Sequence, residues 1–204
     1  MRRRGFSKRL VIVFLVLFIV TSGLFLAPRW LLYADQPVKA DVVVLFVGPG
    51  FEDRLIEARR LVRKGYAKTM VIPAYNCSFR MSRDGRFEDL GRCFIDQFFP
   101  AVREAGEKLP SYYEATHVEA LEAKRLMDAR GFRSALFVSS PYHMRRIRLI
   151  SGEVFDPVHY TVRFVPAGSV EAKNRSKRFD PASLRWQASE LVKIGWFKAY
   201  SVLD

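Results

Sequence analysis

The sequence predicts an α/β protein: a doubly wound, mostly parallel sheet preceded by one N-terminal transmembrane helix. Three observations predict it. A strongly basic start runs straight into a long uncharged apolar stretch, short β-branched runs without charge recur through the remainder, and segments of helical periodicity separate those runs.

The basic start is residues 1–9, MRRRGFSKR, with five positive charges and no negative one. Leu10 to Ala27 then passes 18 positions without an ionisable side chain. As a helix that stretch is about 27 Å long, close to the ~30 Å hydrocarbon core of a bilayer. Only Arg29 follows it closely. The positive-inside bias therefore puts residues 1–9 in the cytoplasm and everything past a linker at 28–39 on the other side of the membrane. A cleaved signal peptide shares the basic start and apolar middle. Cleavage after Ala27 or Ala34 would place Phe25 or Leu32 where a small residue is required, which favours an uncleaved anchor.

Residues 40–204 suffice for one α/β domain. Val42 to Val47 is an uncharged, β-branched run bounded by Asp41 and Gly48, as in a strand buried on both faces. After Gly48-Pro49-Gly50, the segment Glu52 to Lys64 sets Leu55, Ala58, Leu61 and Val62 on one helical face and stops at Gly65. Thr69 to Ile72 supplies a second strand and completes a right-handed βαβ unit. Residues 74–113 mix aromatics, charges, both cysteines and two prolines, with weak helical periodicity near Phe94 to Val102, and read as a partly helical insertion. Regular pattern returns with a helix at Thr116 to Arg130, a strand at Ala135 to Val138 and a helix from His143 to about Ser151. A strand at Thr161 to Val165 follows, then a charged surface loop from Ala167. Asp180-Pro181 opens a last helix that runs to about Lys198.

The chain carries a net charge of +13, of which +7 remains once the six basic residues through Arg29 are set aside. Such a surface attracts anionic headgroups and phosphorylated ligands, and it equally serves solubility. Nucleic acid is not an expected partner, since no reader motif is present and the anchor holds the domain away from it. No Cys/His spacing matches a zinc site, so no metal is expected. In an oxidising compartment Cys77 and Cys93 would close a loop of about 15 residues. Spacing alone leaves that pairing open.

Ligands of a parallel sheet bind beyond the carboxyl ends of its strands. The residues there are Gly48 to Gly50, Tyr75 and Asn76, Ser139 to His143, and Ala167 to Ser169. Gly48 and Gly50 allow backbone to approach a ligand at a helix start, with Asp53 and Arg54 beside them. A plain tight turn accounts for the glycines as well, because Asp53 stands at the third-glycine position of a dinucleotide fingerprint. Ser139-Ser140-Pro141-Tyr142-His143-Met144-Arg145-Arg146 gathers hydroxyls, a phenol, an imidazole and guanidinium groups at one strand-to-helix junction, a set suited to an anion. A serine nucleophile with His143 as base lacks both a G-x-S-x-G elbow and an orienting acid. Thr116-His117-Val118-Glu119 matches S/T-x-x-E, so a capping box is the first reading of those residues.

Taken together, ADVVVLFVGPG followed by Arg54, then THVEA, SSPYHMRR and Glu190-Leu191-Val192-Lys193, resembles the YdcF/SanA/ElyC family of bacterial envelope-associated proteins over about Ala40 to Lys193. The family's T-x-x-E helix start and T-S-x-Y-H-x-x-R junction fall on Thr116, Glu119, Ser139, Ser140, Tyr142, His143 and Arg146. The resemblance implies a Rossmann-like domain behind a helix in the bacterial inner membrane, with a part in envelope biogenesis and in handling polyprenyl-phosphate carriers. It fixes neither a reaction nor a cofactor. The sequence departs from the family at Gly48-Pro49-Gly50, at Pro73-Ala74-Tyr75 and in the insertion at 74–113.

The expectation is a membrane-anchored envelope protein that binds, with or without chemistry on it, a phosphate-bearing envelope precursor or lipid-carrier headgroup. Glu119 and His143 are the candidate acid or base, and Arg54 and Arg146 the anion contacts. Gly48, Gly50, Thr116, Ser139, Ser140 and Tyr142 complete the ligand-binding set. The alternatives are a non-catalytic module for a nucleotide-like ligand and a scaffold for envelope enzymes.

Overall fold

The computed structural model describes residues 8–82, 84–90, 104, 106–168 and 181–203. Helix α1 (Lys8–Leu31) leads into an extended segment, then β1 (Val42–Leu45), α2 (Phe51–Arg63) and β2 (Thr69–Ile72). Next come β3 (Cys77–Met81), β4 (Phe87–Asp89), α3 (Ala115–Asp128), β5 (Ser134–Ser139), α4 (Met144–Val154), β6 (Thr161–Pro166) and α5 (Pro181–Tyr200).

The strands form one six-stranded sheet in the order β4-β3-β2-β1-β5-β6, in which β2, β1, β5 and β6 are parallel. The mixed α/β, mostly parallel sheet expected from the sequence is present. From β1 the chain crosses by α2 to β2 on one side, and it later returns by α3 to β5 on the other. The reversal lies between β1 and β5, the point at which such sheets open a crevice at their carboxyl edge.

Both faces of β1 are covered. Val42, Val44 and Phe46 pack with Ala123, Ile147 and Phe197 from α3, α4 and α5, whereas Val43 and Leu45 pack with Ala58, Leu61 and Val62 of α2. That is why β1 reads as an unbroken apolar run with no alternation. Each of the buried Val, Leu, Ile and Phe side chains among them contributes at most about 1.5–3 kcal/mol.

The region read as a partly helical insertion begins by lengthening the sheet. A 3-10 turn at Pro73–Tyr75 and left-handed Asn76 (φ 52°) reverse the chain, so β3 pairs antiparallel with β2 and β4 with β3. The helix expected near Phe94 to Val102, Cys93, Ser169 and most of the loop before α5 lie outside the described residues. Cys77 is disulfide-bonded.

Helix α1 is continuous over 24 residues. Among the described residues no helix is long and apolar enough to cross a membrane; the described apolar side chains of α1 run unbroken only from Leu10 to Phe18, all exposed. Its C-terminal end is docked. Leu31 is buried, Arg145 Nε donates to the Trp30 carbonyl at 2.7 Å, and the Arg145 and Arg148 guanidinium groups sit 5.1 and 4.3 Å from the Tyr33 ring centre.

Candidate functional site

The loop from β1 to α2 is organised by Arg54. This buried side chain, in the first turn of α2, donates from Nη1 to the Phe46 and Val47 carbonyls (2.9 and 2.5 Å), from Nη2 to Pro49 (2.9 Å) and from Nε to Ser140 Oγ (2.9 Å). Four of its five N–H groups are thereby taken by protein acceptors. Burial lowers its pKa to about 10 against the nearby charges of Glu119 and Glu190. Gly48 has φ +132°, and a Cβ there would lie 3.2 Å from Arg54 Nη1. The group that Gly48 makes room for in this structure is the guanidinium. Gly50 also has positive φ, at +74°. It caps α2, whose first turn holds Glu52 and Asp53, an acidic environment unlike a phosphate loop.

Helix α3 starts at Ala115 with Glu114 as its N-cap, and no side chain bonds the cap. The capping-box reading of Thr116 and Glu119 is therefore corrected: the N-cap lies two residues before Thr116, and both side chains reach elsewhere. Thr116 Oγ1 accepts a 2.6 Å bond from Arg146 Nη1, and Glu119 Oε1 accepts a 2.9 Å bond from the Val47 N–H. Glu119 is buried, and burial raises its pKa to about 8 despite the Val47 bond and the Arg54 and Arg146 charges. At neutral pH it mainly holds a proton.

Arg146 emerges from the first turn of α4 into a dense polar cluster. Its Nε and Nη2 meet Glu190 Oε2 and Oε1 at 2.7 and 3.2 Å, and its Nη1 meets Glu114 Oε2 at 2.8 Å. Arg146 and Glu190 are 4% and 1% exposed, so the pair is buried. Burial would raise Glu190, but the bonds and charges of His143 and Arg146 hold it at about 2. His143 Nδ1 lies 3.0 Å from Arg146 Nη2 and 3.3 Å from Glu190 Oε1, so the ring tautomer decides which it engages. Burial lowers the His143 pKa below its ordinary value, leaving a neutral imidazole at pH 7.

Glu114, Glu119, His143 and Arg146, but not Glu190, line a cavity of about 410 Å³ at the switch point. Of the sequence-predicted residues, Gly48, Thr116, Glu119, Ser139, His143 and Arg146 line it, while Gly50, Arg54, Ser140 and Tyr142 do not. Sequence reasoning assigned no role to Glu114, Glu190, Lys193 or Trp196. Glu190 did carry a signal, as the one carboxylate in the helical stretch from Pro181 to Tyr200. Glu114 carried none, because its place as N-cap follows only from where α3 begins. Among the described residues, Ser139 Oγ and Glu114 Oε1 are buried without a hydrogen-bond partner, and both residues line the cavity. Buried polar atoms left open in this way cost about 1–3 kcal/mol each, so a cavity that holds two is suited to a polar ligand. Among the described residues there is no cluster of metal-ligating side chains.

Compared with protein-family models, with curated proteins and with solved structures, the chain matches none.

Proposed function

We propose that this chain is a membrane-anchored envelope protein whose switch-point cavity binds a phosphate-bearing envelope precursor or lipid-carrier headgroup, with Glu119 and His143 as its acid and base. The observation that carries this reading is that Ser139 and Glu114, each with a buried oxygen that has no partner, line the same cavity as Glu119 and His143, a protonated carboxyl and a neutral imidazole. A serine hydroxyl and a carboxyl proton are both donors for a phosphoryl oxygen, and the Glu114 oxygen accepts from a ligand hydroxyl. With Glu119 uncharged, Arg54, Arg146 and Lys193 outweigh Glu114 and Glu190 around the cavity, which favours an anion.

An acid that holds its proton beside a base that lacks one is the protonation pattern that proton transfer at neutral pH requires. Glu119 would give a proton to a departing oxygen, and His143 would accept one from the attacking group. The anchor rests on the uncharged stretch from Leu10 to Ala27 and on the basic residues before it. The resemblance of THVEA and SSPYHMRR to an envelope-associated family supports the same setting.

Native mass spectrometry of the detergent-extracted chain tests this reading. A co-purifying phosphorylated lipid that is lost in Ser139→Ala and His143→Asn variants is expected. A chain that carries no phosphorylated adduct, and gains none when incubated with a polyprenyl phosphate, counts against it.

A further inference from the structure

The chain enters the domain at the edge of the sheet where the cavity opens. The last turn of α1 touches α4, the turn at Pro141–His143 and α5, with the Trp30 carbonyl bonded to Arg145 in the first turn of α4. Four residues past α1, Asp35 exchanges bonds with Phe164 (Asp35 N to Phe164 O, 2.8 Å; Phe164 N to Asp35 Oδ2, 3.0 Å). By Asp41 the chain has reached Ser134, at the opposite edge where β5 starts. Helix α1 therefore projects away from the carboxyl edge of the sheet, on the same side as the cavity mouth.

Helix α5 roofs that edge. It turns Glu190, Ile194, Phe197 and Tyr200 inward and contributes Val192, Lys193 and Trp196 to the cavity wall. Its outer side is apolar as well. Leu191 is 38% exposed, Val192 and Trp196, which stand at the rim of the cavity, are 72 and 51% exposed, and Val202 and Leu203, just past the end of the helix, are each 83% exposed. A helix that is apolar on both sides needs a partner on both. On the outer one the Tyr112 carbonyl accepts a 2.9 Å bond from Trp196 Nε1, while the apolar side chains themselves stay exposed. Its flanks carry Lys193 and Lys198, and Arg145 and Arg148 stand where α1 enters. Tryptophan and long basic side chains around an apolar surface are those that settle at the headgroup level of a bilayer.

We infer that α5 lies on the bilayer surface with its outer face among the headgroups, so that the cavity beneath it takes its ligand directly from the membrane plane. The inference rests on the membrane anchor proposed above. The occupant is the lipid surface because α5 touches α1, whose side chains from Leu10 to Phe18 are apolar and exposed. A lipid-linked headgroup then enters the cavity past Trp196 while its tail stays in the bilayer.

The chain has three tryptophans, which allows a direct test. The full chain is reconstituted into vesicles of phosphatidylcholine brominated on its acyl chains, mixed with phosphatidylglycerol. One variant keeps Trp196 (Trp30→Phe with Trp186→Phe); the other keeps Trp30 (Trp186→Phe with Trp196→Phe). A face sunk about 5–10 Å into the headgroup boundary brings the Trp196 indole near the bromines, and its emission drops roughly twofold relative to unbrominated vesicles. Quenched Trp30 beside unquenched Trp196 overturns the inference and leaves the anchor standing. Quenching of neither removes the anchor, and this inference with it. An inter-chain disulfide formed by Val192→Cys, with Trp196 unquenched, would make the face a contact between copies and also overturns it. If the tryptophan replacements disturb folding, a spin label on Val192→Cys in the otherwise unchanged chain gives the same reading. Accessibility to oxygen above that to a water-soluble nickel complex supports the inference, and the reverse overturns it.

Discussion

Val47 donates its backbone N–H to Glu119 Oε1 at 2.9 Å, joining the end of β1 to the first turn of α3 across 72 positions of sequence. The bond holds a buried carboxyl at the cavity wall and leaves that group to titrate far from its usual range.

Glu119→Gln should change how stability depends on pH. The unfolded side chain titrates near 4.5 and the folded one near 8. For an acid whose pKa is raised by folding, the contribution to stability is complete below the unfolded value and is lost as pH rises through the folded one, at about 1.4 kcal/mol per unit in between. Glutamine keeps an oxygen for the Val47 N–H and does not titrate. The variant should melt close to the wild type at about pH 5 and clearly above it at about pH 9. A melting difference that stays constant across that range would contradict a buried neutral carboxyl.

The Arg146–Glu190 pair should show strong coupling. Glu190→Gln leaves a guanidinium short of its buried counter-charge, and Arg146→Met does the same to the carboxylate; each should cost about 3–5 kcal/mol. The double variant should lose less than the two single losses combined. Because Glu190 is held at about 2 in the folded chain, its contribution is present above its ordinary 4.5 and fades as pH falls between those values. Urea titrations of the three variants at neutral pH, and of the wild type down the acid range, measure both effects.

Much of this fold was legible because strands buried on both faces must be apolar throughout. Val42 to Leu45, Thr69 to Ile72 and Ala135 to Val138 announce themselves in that way. Strand β3 did not, since its burial fades along its length toward Met81, and β4 is largely exposed with two acidic residues. At the site, the SSPYHMRR junction holds His143 and Arg146, both of which line the cavity. What sequence could not show is which polar groups satisfy one another. Arg54 and Arg146 look like free cations in a row of letters, yet one spends its donors on loop carbonyls and the other on Glu114 and Glu190. Thr116 and Glu119 have the spacing of a cap, and only the start of α3 at Ala115 shows that they are not one.

Arg54→Lys should destabilise the domain more than its conservative charge suggests. Lysine cannot bond Phe46, Val47, Pro49 and Ser140 at once, so buried carbonyls lose donors at about 1–3 kcal/mol each. Ser140→Ala, which removes one of those contacts, should cost only about 1 kcal/mol. Thermal melts that rank Ser140→Ala below Arg54→Lys in damage check the assignment, and equal damage contradicts it.

Topology gives a further expected outcome. A C-terminal alkaline phosphatase fusion should be active, because the proposed anchor would place everything after 39 outside the cytoplasm. An inactive fusion at normal expression reverses the orientation.

The acid–base assignment is tested by Glu119→Gln and His143→Asn together. Since Glu119 bonds Val47 and not the start of its own helix, glutamine preserves the known contact while removing the proton that the site would donate. Asparagine at 143 keeps a polar group near Arg146 and Glu190 but cannot cycle a proton as an imidazole does. Both variants are returned to a strain lacking the chain, with exported protein matched. Melting temperatures no more than a few degrees below wild type at neutral pH exclude unfolding as the cause of any defect. Failure of both to reverse the defect of that strain under those conditions places the two residues in one working cavity. Full restoration by both removes proton transfer from the site and leaves a pocket that only binds. Loss with His143→Asn alone assigns the base and returns Glu119 to a role in holding β1 against α3.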